Sequence, residues 1–139
     1  MVDVERLRRV LQRVADDLDA LETYARRPPE DIAGDPAFLG HVKYLFVTAV
    51  EGCIDAAHHV AASEGWTPAE TNAGAMEVLG RHDVLDPALT ETMAAAVRFR
   101  NLLVHRYAAV DDDLTVGHLA QVEALRRFVA AVVALADQP

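Results

Sequence analysis

The sequence is short of the features that staple a small protein or anchor it in a membrane. Its 139 residues include one cysteine, Cys53, which excludes an internal disulfide and a zinc site built from several cysteines. No run of about 18 apolar residues is present, so we expect no membrane span. The start, MVDVERLRRVL, is charged and lacks the apolar stretch of a signal peptide. We therefore expect a cytoplasmic protein.

The composition indicates one folded helical domain. Apolar residues make up 52% of the chain and charged residues 25%, which is typical of globular rather than disordered proteins. Alanine alone contributes 25 residues and favours helix. A chain of this length has the usual size of one domain and can bury a core of its own. No useful β-alternation, internal repeat or low-complexity tract interrupts it, so we predict a single all-α domain over residues 1–139.

Negative charge dominates, but not everywhere. Thirteen Lys and Arg against 22 Asp and Glu give a net charge of −9, which argues against non-specific nucleic-acid binding, and no DNA partner is expected. No acidic residue lies between Glu91 and Asp111, and this window contains Arg98, Arg100 and Arg106. The window carries +3 and leaves −12 on the rest of the chain. An acidic body with one local basic site would bind a phosphate-bearing ligand at that place and repel it elsewhere.

Hydrophobic spacing predicts four long helices and one short helix. The long ones cover about 3–27, 36–64, 87–107 and 113–137, the last capped by Asp113 or Thr115, and the short one covers about 75–82. The second long helix is apolar on two faces, which places it at the centre of a bundle or against a partner chain. Asp35-Pro36 and Asp86-Pro87 are helix-start signals, and Gly65 is a helix end. With short loops between them, the helices are expected to form an antiparallel bundle.

The stretch from Arg98 to Tyr107 collects the side chains best suited to chemistry. It places Arg, Asn, His and Tyr at one helix end with no carboxylate nearby. Arginine binds phosphate with a planar fork, and histidine can donate or accept a proton near neutral pH. Arg100 and His105 lie about 140° apart around an ideal helix and about 7.5 Å apart along it. Both can border one cleft only if the cleft wraps around the helix end or is completed by another helix or subunit. Alternatively, these cations simply complement the helix dipole.

This stretch resembles the R-x-x-x-x-H-x-Y motif of the HepT-like toxins, formerly the DUF86 group, within the HEPN superfamily. Arg100, His105 and Tyr107 occupy its fixed positions. The wider segment MAAAVRFRNLLVHRYAAVDDD is similar to the family signature F-R-N-x-L-V-H-x-Y-x-x-x-D. The segment YLFVTAVEGCIDAAHHVAASEGW is similar to the pattern Y-L-x-x-x-A-x-E-x-C-x-D-x-x-x-H. The likeness covers about residues 44–113.

The resemblance implies a HEPN-like homodimer that cuts RNA without a metal or other cofactor, in a cleft at the subunit interface. It implies the toxin of a type VII-like toxin–antitoxin system, whose antitoxin is a minimal nucleotidyltransferase (MNT) that silences the toxin by AMPylation. Arg100 and His105 would then be the catalytic pair and Tyr107 the modified residue. Asn101 would help to shape the cleft.

The chemistry of metal-independent RNA cleavage agrees with these side chains. The 2′-hydroxyl attacks the adjacent phosphate, which requires proton transfer and a cation over the developing negative charge. His105 would supply the first and Arg100 the second. Two-fold symmetry would bring two histidines to one cleft as base and acid, and it would double the local charge of the basic window.

Four other residues are candidates for supporting roles. Arg98 and Arg106 would add positive charge for RNA. Asp55 and His59 belong to a polar strip on the second long helix, and the resemblance places them beside the cleft, where they would orient Arg100 or His105. The same strip has some features of a metal site, but the ligand set is incomplete and we predict no metal.

Two other functions fit the same sequence. The chain would act as a non-catalytic regulatory or nucleotide-binding partner of a minimal nucleotidyltransferase, or as a purely structural four-helix dimerisation module. The regulatory function predicts that His105→Ala spares partner binding and that no RNA is cut. The structural function predicts indifference to the motif and sensitivity to changes at Phe99 or Leu103.

Overall fold

A computed structural model describes residues 3–106 and 110–138, and within these ranges the chain forms helices and no strand. The elements in chain order are α1 (Val4–Ala25), α2 (Pro29–Ala33), α3 (Pro36–Glu64), α4 (Asn72–Arg81), α5 (Pro87–His105), α6 (Asp112–Gly117), a 3-10 turn (His118–Gln121) and α7 (Val122–Ala136). The long helices α1, α3, α5 and α7 form a closed ring in which each contacts the next, and α3 also contacts α7 across it. The predicted all-α bundle is confirmed.

The helix ends follow local capping chemistry. The side chain of Asp35 accepts hydrogen bonds from the first backbone N–H groups of α3, at 2.9 Å from Ala37 N and 3.3 Å from Phe38 N. Asp86 caps α5 in the same way, at 2.7 Å from Leu89 N. Gly65 ends α3 with a φ of 74°, a left-handed conformation that glycine adopts without strain. These predicted boundaries are confirmed.

The core is built around α3, which buries side chains on two faces, as its pattern predicts. Thirteen of its residues are buried, among them Cys53. Burial raises the pKa of the Cys53 thiol, and the nearby Asp17 carboxylate raises it further, so Cys53 is an inert core residue. Helix α1 lies very close to α3 at Gly52, where an added Cβ would stand 2.3 Å from Val14 Cγ2.

Lys43 and Arg126 form ion pairs that join the C-terminal elements to this core. Lys43 is the only lysine of the chain; it is buried on α3, and its Nζ lies 3.2 Å from Asp112 Oδ1 at the start of α6. Arg126 on α7 reaches α1, where it pairs with Asp19 and, at 2.7 Å, with Glu22. The hydrogen bond from Arg126 lowers the pKa of the Glu22 carboxyl.

Two predicted stretches are wrong. Residues 29–33, predicted as part of a loop, form α2, in which proline occupies the first turn and Ile32 is buried. The last helix, predicted as continuous, breaks into α6, the 3-10 turn and α7. Gly117 stands at the break and lowers the helix propensity there. The tighter turn lays the His118 ring flat against Phe99, with ring centroids 3.8 Å apart.

The short helix α4 begins at Asn72, three residues before its predicted start, because Thr71 caps it by accepting from Gly74 N. Helix α3 is long and apolar enough, by length and composition alone, to cross a membrane, with a mean hydropathy of 1.3 over its best window. Half of that window is buried in the bundle, and core helices of soluble proteins meet the same criterion. The absence of a membrane span stays a prediction.

Candidate functional site

The guanidinium of Arg100 is anchored on two sides. Its Nη2 lies 2.7 Å from Glu51 Oε1 on α3, and its Nη1 donates to Asn101 Oδ1 at 2.9 Å. Only 17% of the Arg100 side chain is exposed, against 45% for Glu51. The planar group is therefore held in one orientation by a neighbour on its own helix and by a carboxylate on the next.

Glu51 is part of this site, although its role was not evident from the sequence. Its position matches the glutamate of the E-x-C-x-D pattern, which is the one signal that points to it. Its partner is not visible in the sequence, because Arg100 is 49 residues away and only the packing of α3 against α5 brings the two side chains together.

His105 is the last residue of α5, and its side chain is exposed. Five residues separate it from Arg100, so the two side chains leave the helix about 140° apart. Within the described part of one chain, Arg100 faces α3 while His105 stands at the open end of α5. Arg98 and Arg106 are exposed as well, and the N–H of Arg106 donates to Leu102 O at 2.8 Å. Tyr107 lies outside the described residues.

Asp55 and His59 lie on another part of α3, beside α1. They line a groove of about 250 Å³ that also includes Arg6. His59 Nε2 accepts a hydrogen bond from Asp3 N at 3.2 Å, so the ring is directed to the start of α1. Their described contacts do not reach Arg100 or His105, and their supporting role in a cleft stays a prediction.

The polar strip of α3 is engaged by hydrogen bonds. His58 Nε2 lies 3.2 Å from Asn72 Oδ1, next to the His59 contact with Asp3. Among residues 3–106 and 110–138, no group of three or more His, Cys, Asp or Glu is arranged to hold a metal ion.

Three large apolar side chains stand exposed on α5 and α3. Leu102 and Val104 on α5 are each 44% exposed, and Tyr44 on α3 is 63% exposed. On a helix, Leu102 shares a face with Arg98 and His105, and Val104 shares one with Arg100. Exposed apolar groups that lie together and are bordered by polar residues are typical of an interaction surface.

The family model described as ribonuclease HepT-like matches residues 14–132. The chain belongs to the HepT-like family. The motif that suggested this family from the sequence lies within the matched region, and among the curated proteins no significant match to this HepT-like chain is found.

Solved structures share the fold of this HepT-like protein at low sequence identity. The Shewanella oneidensis HEPN toxin, described as tri-AMPylated and in complex with an MNT antitoxin, has a TM-score of 0.86 and 17% identity, covering 96% of this chain and 99% of its own. A mutant of the MntA–HpeT toxin–antitoxin has a TM-score of 0.85 and 16% identity, covering 95% and 99%. YutE from Bacillus subtilis, described as a cytosolic protein of unknown function, has a TM-score of 0.84 and 14% identity, covering 96% and 90%.

Proposed function

We propose that this HepT-like protein is a metal-independent endoribonuclease, the toxin of a type VII-like toxin–antitoxin system. The observation that carries the proposal is that the end of α5 presents both a pre-oriented Arg100 and an exposed His105. A guanidinium held by Glu51 and Asn101 needs no reorganisation when negative charge develops on a phosphate, and such preorganised donors usually make the largest single contribution to catalysis. The histidine stands at the surface, where a substrate can reach it.

The active unit in this proposal is a homodimer. Arg100 and His105 lie on different sides of α5, so one chain does not surround a phosphate with both. The exposed Leu102, Val104 and Tyr44 give a second copy an apolar surface to cover. A two-fold axis near this surface would place two copies of the basic window side by side. That arrangement concentrates positive charge in one cleft of an otherwise acidic particle.

Cleavage in this cleft would proceed by internal transfer. One His105 takes the proton of the ribose 2′-hydroxyl, whose oxygen attacks the adjacent phosphorus. The bond from phosphorus to the 5′-oxygen breaks, and the second His105 protonates that oxygen. The products are a 2′,3′-cyclic phosphate and a 5′-hydroxyl. Arg100 donates to the phosphate oxygens, on which negative charge increases in the transition state.

The proposed regulator is an MNT-type nucleotidyltransferase antitoxin that transfers AMP to Tyr107. Support comes from the Shewanella oneidensis toxin of the same fold, described as tri-AMPylated and in complex with an MNT antitoxin. In the sequence, Tyr107 follows Arg106 and the exposed end of α5. An AMP group there would add a bulky anion next to His105 and Arg106, blocking the cleft and neutralising its charge. We place the protein in the cytoplasm, as YutE is described as cytosolic.

Product chemistry tests the proposed reaction. Purified protein is incubated with a panel of labelled RNAs in excess EDTA, and the new ends are identified. A 5′-hydroxyl that polynucleotide kinase labels directly, with a 3′ end that resists phosphatase until acid treatment, supports internal transfer. Products with a 5′-phosphate, or cleavage that EDTA abolishes, would contradict it.

A further inference from the structure

A small cavity lies beside Arg100. Its volume is about 10 Å³, and its wall includes Arg100, Thr92, Phe99, His118 and Gln121. Two of these residues belong to the 3-10 turn that interrupts the last helix. The break in that helix therefore brings the turn against the residue that we place in the RNA-cleaving site.

Two buried polar atoms from this wall lack a hydrogen-bond partner within the described residues: Arg100 Nε and Gln121 Oε1. One is an N–H donor and the other a carbonyl acceptor, so each is what the other requires. Buried polar groups are almost always paired, because an unpaired one forfeits its hydrogen bonds to water. His118 competes for the Gln121 oxygen, since its interaction with this side chain opposes the fall in the His118 pKa. A carbonyl oxygen has two lone pairs, however, so it can also accept from Arg100 Nε at the same cavity.

We propose that Gln121 is a positioning residue for Arg100, and that its side-chain carbonyl receives the Nε–H of Arg100 across this cavity. A small rotation of the amide, or a single water molecule in the cavity, completes the contact. Gln121 touches neither RNA nor the reacting atoms. It acts on the reaction only through the orientation of Arg100, a role that rests on the proposed ribonuclease function.

The contact completes a three-point hold on the guanidinium. Glu51 binds Nη2, Asn101 binds Nη1, and Gln121 would bind Nε. Arginine has five N–H groups, so this hold leaves one N–H on each terminal nitrogen. Two N–H groups are the number that bidentate recognition of a phosphate requires. The three partners would therefore leave Arg100 enough donors to bind a phosphate.

The position of Gln121 is fixed by its own turn. His118, three residues earlier, stacks on Phe99 at 3.8 Å and meets Phe46 edge-on at 6.3 Å. Phe99 precedes Arg100 on α5. The stacked ring thus keeps the 3-10 turn in register with the part of α5 that carries the arginine.

The contact can be measured without any RNA. Nitrogen-15 NMR of the full-length protein resolves arginine Nε–H groups, and the Arg100 signal is assigned by its loss in Arg100→Lys. We expect Gln121→Leu to shift this signal and to speed its hydrogen exchange by about tenfold or more. Gln121→Glu keeps an acceptor oxygen and should keep the slow exchange. Gln121→Met provides a second variant without the carbonyl if Gln121→Leu does not fold.

Thr92→Val is the matched control. Thr92 lines the same cavity, but its hydroxyl donates to Ala88 O at 3.0 Å and not to Arg100. It should leave the Arg100 signal in place. An unchanged signal in Gln121→Leu, or an equal shift in Thr92→Val, would overturn the proposal.

Kinetics then separate positioning from structural support. We expect Gln121→Leu to lower kcat by about tenfold with KM changed much less, and Gln121→Glu to restore most of the loss. A fall in activity that Gln121→Glu does not rescue would contradict a positioning role. If the Nε–H signal responds as expected but neither wild type nor any variant cuts RNA, the Gln121–Arg100 contact is supported and the proposed ribonuclease function is contradicted.

Discussion

Arg100 on α5 and Glu51 on α3 form an ion pair, with 2.7 Å between Nη2 and Oε1. The pair joins the two helices that carry the HepT-like signatures, so the arginine is held in one orientation without any ligand. It also means that part of the charge on Arg100 is already balanced. A phosphate in this site would bind to a directed hydrogen-bond donor and not to an unattached cation.

We expect Glu51 to affect cleavage by orienting the Arg100 guanidinium more than by its own negative charge. Glu51→Gln keeps an oxygen that accepts from Nη2, and we expect cleavage to stay within about threefold of wild type. Glu51→Ala removes the partner and should lower kcat by about tenfold or more. Steady-state kinetics on one labelled RNA measures both variants.

The control for Glu51 is Asp16→Asn, because Asp16 and Glu51 line one groove of about 340 Å³ between α1 and α3, and the described hydrogen bond of Asp16 is with Gln12. It should leave kcat unchanged. Equal losses in Glu51→Gln and Glu51→Ala would mean that the negative charge of Glu51, rather than its geometry, is what the reaction requires.

The apolar surface around the motif should decide the oligomeric state. We expect wild type to behave as a dimer of 15.1-kDa chains and Leu102→Glu to shift it to monomers, because a charge at the centre of an interface is costly to bury. Light scattering after size exclusion gives the mass directly. Val133→Glu changes a similarly exposed residue on α7 and should remain dimeric. A monomeric wild type would contradict the proposed shared cleft.

Alanine substitutions at Gly52 and Gly117 should change the free energy of unfolding in opposite directions. Gly52→Ala should destabilise the fold by about 1–3 kcal/mol, because the new methyl group meets the stiff, buried Val14 side chain at 2.3 Å. Gly117→Ala should stabilise it by about 0.4–1 kcal/mol, since Gly117 is in a helical conformation and no described atom lies within 4 Å of the added Cβ. Urea denaturation measures both, and effects of the same sign would refute the packing argument.

The half-buried His118 should make stability depend on pH. Burial against Phe99 lowers the pKa of His118 from its usual 6.5, and the neighbouring Gln121 amide opposes this only in part. Below about pH 6.5 the unfolded chain therefore binds a proton that the folded chain does not accept, so stability falls as pH falls through this window. Above it, the contribution of His118 is fully present.

His118→Phe keeps an aromatic ring on Phe99 and removes the titrating group. Melting curves at about pH 7.5 and about pH 5.5 should show a larger fall in Tm for wild type than for His118→Phe. Because the other titrating groups are common to both proteins, parallel falls would show that His118 does not contribute.

The parts of the fold that local chemistry controls could be predicted from the sequence. Asp35, Asp86 and Gly65 each set a helix end through contacts with residues close by in the chain. The apolar stripes of α1, α3 and α5 give the buried faces, because burial follows the helical repeat. Residues 29–33 and the break at Gly117 could not be predicted in this way, since a single helical turn and a 3-10 turn depend on tertiary packing such as that of Ile32 and His118.

The candidate site also contains residues that the local sequence identifies and residues that only tertiary packing reveals. Arg100, Asn101 and His105 share one segment, so a motif could identify them together. Glu51 reaches Arg100 from another helix and Gln121 lies near it in the 3-10 turn, and no spacing rule links residues 51, 100 and 121. The contact of Glu51 becomes visible only when the helices are packed, and the proposed role of Gln121 only when the unpaired Nε of Arg100 is traced to its cavity.

The central claim is that the Arg100–His105 pair cleaves RNA without a metal. The direct measurement is cleavage of labelled RNAs in excess EDTA by wild type, His105→Ala and Arg100→Ala, after intact mass shows that Tyr107 carries no AMP. We predict cleavage by wild type, a loss of at least about 100-fold in each variant, and no change in the dimer. Full cleavage by His105→Ala would contradict the mechanism, and no cleavage of any RNA by unmodified wild type would point to a regulatory partner of a nucleotidyltransferase.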